Sequence, residues 1–408
     1  MNYLLSDKQK ALQKEWDDFY RELMKNAPKI WRGAHGTDCG FLYGTEFDYA
    51  TVEWVKRIYD AEYKRGYHSL HWPKEYGGQE IGPVEQAILA EIKNYYRVPS
   101  ENWAGLRLLA PALMMFGTEE QKKEFLPKIL SGERIFCQAW SEPNAGSDLA
   151  SLTTRAVRDG DDYIVNGQKT WIGAAGGAEP ANWGHSPFRT DPDTTKRHRG
   201  LSYFMFPMDT PGITITDVYA SNRNRGWSEV FFEDARIPAK YRVGEENRGW
   251  YVTMATANFE RSGSPYGEVK RDIEELVAYC VQTKCNGQRL IDDPFIREGL
   301  AEFIIESEKL RALGQRSAWK QAKGDEVTSY ASAGKIIWTE LNHKMAIFVA
   351  HRLGGLYGMI KPSSNWALFD GFFENFGEGI SLGKIINVGT NDIQHNVIAI
   401  RGLKLPRE

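Results

Sequence analysis

The chain of 408 residues carries 51 Lys+Arg against 54 Asp+Glu, a net charge of -3 that leaves no electrostatic footprint for nucleic acid or an anionic membrane. Hydrophobic residues make up 42% and charged residues 26%, the proportions of a globular chain of two or three domains. No apolar run reaches the roughly 18 residues of a membrane-spanning helix. Four scattered cysteines, Cys39, Cys137, Cys280 and Cys285, exclude a disulfide framework and a zinc site. The N-terminus lacks the features of a signal or transit peptide, so the expected location is cytoplasmic.

Residues 1–133 read as helices: Leu12, Trp16, Phe19, Tyr20 and Leu23 recur at helical spacing, as do Val52, Val55, Tyr59 and Tyr63. Breakers at Asn26-Ala27-Pro28 and at Trp72 to Gly78 separate them. Residues 134–245 change to strand texture. Ile135 to Trp140, Leu201 to Met208, Ile213 to Val218 and Glu229 to Phe232 are expected strands. Asn166-Gly167, between Tyr163-Ile164-Val165 and Thr170-Trp171-Ile172, predicts a hairpin turn. Residues 189–200 form a polar loop. Helical patterns return over 246–408, at Val269 to Val281, Ile296 to Lys323 and Val327 to Leu353. The fold class is therefore α+β, in three domains: helices, a β-domain, helices.

Several common site patterns fail. Gly377 to Leu382 lacks the third glycine of a dinucleotide fingerprint, and Ile385 stands where a phosphate loop needs Ser or Thr after Gly383-Lys384. His68 and His71 have no third ligand at a metal-binding spacing. Ser381 has no strand before it, so it does not sit on a nucleophile elbow. The informative segment is Ser141-Glu142-Pro143-Asn144-Ala145-Gly146-Ser147-Asp148. It lies between two strands, and its turn residues and hydroxyls suit an oxygen-rich ligand. An ordinary Asx or Ser turn is the simpler alternative for such a string taken alone.

With its company, the string resembles the acyl-CoA dehydrogenase family over nearly the whole chain. The resemblance runs through WPKEYGG at 72–78, FGTEEQKKEFLPKILSGE at 116–133 and SEPNAGSDLASLTTRA at 141–156. It continues through NGQKTWI at 166–172, VGEENRGW at 243–250 and VGTNDIQHNVIAIRGLKLPR at 388–407. It implies a helical, a β-barrel-like and a second helical domain. It also implies bound FAD, oxidation of an acyl-CoA thioester at Cα–Cβ, and an electron-transfer flavoprotein as acceptor. Trp140, Ser141, Gly146, Ser147 and Trp171 would contact FAD, Ser147 at the pyrophosphate and Trp171 over the ring. Thr390 and Asp392 would complete the site. Gly173 stands where many members have Thr, so a hydroxyl near flavin N5 is missing.

The reaction needs a carboxylate base for the α-proton. Many members place a Glu directly before the C-terminal Gly-Thr, and this chain has Val388 there. Others place it on the helix after the β-domain, before an Arg, and Glu260 occupies that position. By the same resemblance the main-chain N–H of Val388 would polarise the thioester carbonyl, and Asn258 and Arg261 would contact the CoA-bearing part of the substrate. Homotetrameric members carry an Arg-x-x-Phe-Gly string that reaches a neighbouring subunit's FAD. Here, Thr283 and Asn286 replace the Arg and Phe before Gly287, with Lys284 or Arg289 as possible substitutes, while Gly354-Gly355 resembles other neighbour-contacting glycines. This pattern resembles bacterial members acting on bulky, including steroid side-chain, thioesters, some of which join two different subunits. Gly263, Pro265 and Gly267 suit a kinked helix that widens the pocket, or else a benign kink or a helix end. The implied assembly is a homotetramer or a heterotetramer. The alternative functions are a non-catalytic partner subunit or an oxygen-using oxidase.

Overall fold

A computed structural model describes residues 4–28, 31, 49–99, 102–173, 175, 180–219, 225–260, 265–354, 368–371 and 381–406. The chain divides into two compact units. One is Thr37–Glu80 with Pro99–Glu260, and the other is Met1–Gly36 with Ile81–Val98 and Arg261–Glu408.

The first unit is built on an eight-stranded sheet: β1 (Phe136–Gln138), β2 (Arg155–Asp159), β3 (Asp162–Ile172), β4 (Trp183–Arg189), β5 (Leu201–Pro207), β6 (Ile213–Tyr219), β7 (Arg225–Pro238) and β8 (Arg242–Val243). The order is β6-β7-β3-β2-β4-β5-β8, with β1 parallel to β4. The hairpin expected at Asn166-Gly167 is absent. β3 runs straight through it, and the chain turns instead at Gly160, with Asp159 opposite Asp162. The reason is local. Asn166 exchanges side-chain bonds with Asp234 across to β7. Gly167 lies so close to Thr154 that a Cβ would meet its Oγ1 at 2.5 Å, so the glycine serves a bulge, not a turn.

Helices cover part of this sheet: α2 (Tyr49–Lys64), a π-turn (Ala104–Leu109), α4 (Ala110–Phe116), α5 (Glu119–Leu130) and α6 (Gly249–Glu260), while α3 (Pro83–Tyr95) belongs to the other unit. Thr118 and Gln121 start α5 with a reciprocal capping box. The ring of Phe125 on α5 meets Trp183 edge-on at 5.0 Å, and Phe136, Tyr203, Val243 and Val252 join the same core. α6 is seated closely, since a Cβ on Gly249 would fall 2.4 Å from the Ser202 backbone.

The second unit is helical: α1 (Asp7–Leu23), α3 (Pro83–Tyr95), α7 (Tyr266–Gln282), α8 (Pro294–Gln321), α9 (Thr328–Arg352), α10 (Ser381–Ile386) and α11 (Asn391–Val397). Pro265 is the N-cap of α7, so it starts a helix; no kink is made there. Gly267 lets α7 close on α3, where a Cβ would lie 1.9 Å from the Glu91 carbonyl. Arg97 clamps the same pair of elements through Asp272 at 2.6 Å and Glu275 at 3.1 Å. Cys39, Arg261, Gly263, Gly355 and 377–380 lie outside the described residues.

Candidate active site

β1 delivers the chain to Trp140 and Ser141, and a tight turn follows in which Glu142 and Ala145 exchange both main-chain hydrogen bonds. Beneath this loop lies a buried ion pair. Lys169 Nζ is 2.9 Å from Glu142 Oε1 and also donates to the carbonyls of Trp140 and Pro187. The Glu142 carboxylate accepts from Thr153 N, Thr153 Oγ1 and Thr154 N. Burial alone would raise its pKa, yet Lys169 and these donors outweigh that and hold it at about 2. Every donor of the ammonium has an acceptor, which is what a fully buried lysine needs.

The same strand ties down the other side of the loop. Thr170 N donates to the Ser141 carbonyl at 2.8 Å, which places Ser141 beside Trp171. Trp171 takes φ 62, which is unusual for a bulky residue. Its ring is 59% exposed and stands edge-on to Trp227 at 6.0 Å. Gly146 has open space where a Cβ would be, and Ser147 is exposed. Gly173 follows β3 in a turn. A flat apolar ring, free hydroxyls and an uncovered glycine turn fit a ligand with an aromatic ring system and a phosphate-bearing tail, which FAD is.

Trp140 is braced from behind. Its Nε1–H donates to Tyr203 Oη at 3.0 Å, and that hydroxyl stands 2.6 Å from His185 Nδ1. Burial lowers the His185 pKa to about 3, so the ring is neutral.

Glu260 closes α6 in this same unit; the side chains of Asn258, Phe259 and Glu260 lie outside the described residues. In the helical unit, Val388 and Gly389 both take left-handed backbone, φ 52 and φ 75. Buried Gln394 donates from Nε2 to both of their carbonyls, at 3.0 and 3.1 Å. Thr390 caps α11 by accepting from Ile393 N, and Asp392 is exposed in its first turn. Lys335 donates to Asn391 Oδ1 and the Ile385 carbonyl, and burial lowers its pKa to about 8. Thr283 to Leu290 is an exposed two-residue hairpin turning at Asn286 and Gly287, φ 51 and φ 85. Arg289 is paired with Asp292 through two bonds of 2.8 and 3.0 Å.

Sequence reasoning missed Lys169, Lys335, Gln394 and the Tyr203–His185 hydrogen bond. For Lys169 a signal was present. Tyr163, Val165 and Lys169 share the inward parity of β3, and a lysine on an inward position requires a buried partner.

Residues 6–133, 137–235 and 247–403 match the acyl-CoA dehydrogenase N-terminal, middle and C-terminal domains. The chain belongs to the acyl-CoA dehydrogenase family; it is an oxidoreductase whose cofactor is FAD. It is 34% identical over 361 residues to the acyl-CoA dehydrogenase IpdE1 of Mycobacterium tuberculosis, covering 87% of this chain and 88% of that one. FadE26 of the same organism is 34% identical over 84% of this chain and 86% of its own. Among solved structures, the steroid ACAD Tcur3481-Tcur3483 matches with a TM-score of 0.84 at 29% identity, and the ChsE4-ChsE5 complex from Mycobacterium tuberculosis with 0.84 at 30%, each over 100% of both chains. Among the described residues no helix is long and apolar enough to cross a membrane.

Proposed function

We propose that this chain oxidises the Cα–Cβ bond of a bulky acyl-CoA thioester to the 2-enoyl-CoA, with Glu260 as the base. The observation that carries this reading is the end of α6. The helix that starts against β5 at Gly249 ends on Glu260, in the same unit as the Ser141–Ser147 loop, while position 388 holds a valine. Buried Thr253 and Thr256 bond back to carbonyls one turn earlier, which fixes the helix from within. FAD, held there, would supply the acceptor for the hydride equivalent that leaves Cβ. Ser141, Gly146, Ser147 and Trp171 would hold it, with Trp140 and Gly173 beside them, and Thr390 and Asp392 would add the C-terminal contacts. Glu260 receives the α-proton, and its basicity rises as substrate displaces water around it. The Val388 N–H donates to the thioester oxygen, because a main-chain donor survives any side-chain change. Gln394 supports this turn from its C-terminal side by donating to the Val388 and Gly389 carbonyls. Asn258 and Arg261 bind the CoA-bearing end.

The relatives named for steroid chemistry support a bulky acyl group, and the heteromeric neighbour supports pairing with a second dehydrogenase-like subunit, alongside a homotetramer. An electron-transfer flavoprotein is the proposed acceptor, and domain limits at 133/134 and 245/246 belong to the same reading. The test is anaerobic flavin bleaching against an acyl-CoA panel that includes steroidal and branched thioesters. The best substrate should bleach the wild-type flavin, and Glu260→Gln should slow that step at least about 100-fold with the flavin retained. Bleaching within tenfold of wild type removes Glu260 as the base.

A further inference from the structure

A family site for FAD needs a cation at the pyrophosphate, and the expected cross-subunit Arg is Thr283 here. Neither suggested substitute is built for the task. Arg289 is held in a two-bond pair by Asp292, and Lys284 sits on an exposed two-residue hairpin. A different arginine lies next to the loop itself. Arg197 Nη2 bonds Asp148, the residue that follows Ser147. Its backbone adopts φ 40, ψ -100, which non-glycine residues rarely occupy.

That conformation is imposed by buried structure. Arg189, 6% exposed, donates from Nη1 to the Arg197 carbonyl at 3.3 Å, from Nε to Leu152 O at 3.0 Å and from Nη2 to Ala150 O at 2.8 Å. Ser151 Oγ donates to the Asp148 carbonyl at 2.7 Å, closing the circuit between the Ser147–Asp148 turn and the Arg197 loop. The loop base is sealed by Thr190 N and Asp191 N on the Gly200 carbonyl. Lys196 is engaged by Asp191 and His198 packs at a tilt against Trp250 at 4.5 Å, while Arg197 is the loop cation bonded to the turn residue Asp148. A solvent-exposed ion pair contributes too little to sustain such backbone strain. A strained residue held by buried anchors is typical of a ligand clamp. Asp148 also needs neutralising if an anion is to rest beside it.

We infer that Arg197 is a diphosphate-binding residue, which exchanges Asp148 for a phosphate oxygen when a nucleotide diphosphate occupies the Ser147 end of the loop. This rests on the reading of Ser147 as the pyrophosphate contact. FAD and coenzyme A both carry the group, and binding separates them. Apoprotein is titrated with FAD and with ADP, and FAD-loaded protein with coenzyme A. For Arg197→Gln, the affinity for one carrier should fall about 10- to 100-fold, the loss of one charge-assisted bond, and Arg197→Lys should recover part of it. A loss for FAD and ADP assigns the flavin diphosphate; a loss for coenzyme A alone assigns the substrate. Arg197→Gly should also raise the melting temperature of the apoprotein while losing affinity to the same degree, because glycine accepts φ 40 without strain. A purely structural arginine would not separate those two readouts. Affinities within threefold of wild type for all three ligands overturn the inference. If Ser147→Ala weakens FAD binding while Arg197→Gln does not, only the inference falls; if neither does, the reading of the loop falls with it.

Discussion

Replacing Lys169 with methionine tests whether the buried ion pair organises the loop. The substitution removes three bonds at once: to Glu142 Oε1 at 2.9 Å, to the Trp140 carbonyl at 3.0 Å and to the Pro187 carbonyl at 3.2 Å. It leaves a carboxylate that is 4% exposed with no counter-ion. Breaking one side of such a pair costs about 3–5 kcal/mol. For a unit of this size that corresponds to a loss of about 6–20 °C in its melting temperature. The double variant Lys169→Met/Glu142→Gln should be more stable than the single one, because no unpaired charge remains. The effect has a pH signature. Glu142 titrates at about 2 when folded against 4.5 as a free side chain, so its stabilisation is present above pH 4.5 and disappears as pH falls toward 2. Chemical denaturation at pH 7 and pH 3.5 should show the gap between wild type and Lys169→Met narrowing in acid. A loss under about 1 kcal/mol, or a gap independent of pH, would refute the reasoning.

Two further outcomes follow from buried groups. His185 is lowered to about 3 by burial from 6.5, so the unfolded chain binds the extra proton between those values and stability falls as pH drops through 6.5. The slope is at most about 1.4 kcal/mol per pH unit, and His185→Gln should flatten it in denaturation curves between pH 7 and pH 5. Gln394→Leu removes both carbonyl bonds at Val388 and Gly389 and should cost about 1–3 kcal/mol, while slowing flavin reduction more than it weakens acyl-CoA binding. Equal effects on both steps would leave Gln394 a purely structural residue.

Elements with a regular pattern were legible. The expected helices at Val269 to Val281, Ile296 to Lys323 and Val327 to Leu353 match α7, α8 and α9 within a few residues. The strands at Leu201 to Met208 and Ile213 to Val218 match β5 and β6. β2 and β4 were not read. Arg155–Asp159 is exposed at every position but Ala156 and holds only two apolar residues, and Trp183–Arg189 carries Gly, His, Ser and Pro, poor strand formers whose burial is decided by neighbours. Asn166-Gly167 misled because its turn propensity is local, while the Thr154 and Asp234 contacts that override it come from distant strands. In the site, the loop at 141–148 could be read because its residue types advertise turns and hydroxyls. Of its supports, Lys169 left a signal in the inward parity of β3, whereas Tyr203 and His185 left none, since they reach the loop only through the sheet.

β3 also bears on how reliably the protein folds. Side chains alternate along a strand, so slipping β3 by one residue against its neighbours would turn Lys169 outward and abandon Glu142 in the interior. The same slip would bring a residue with a Cβ against Thr154, where only Gly167 fits. One penalty is electrostatic and the other steric, and they mark positions two residues apart on one strand. Both penalties disfavour any misaligned sheet, and the exposed Trp171 lies two residues further along the same strand. The register that seats Lys169 and Gly167 is therefore the same register that brings Trp171 to the site, so one alignment of the sheet sets all three.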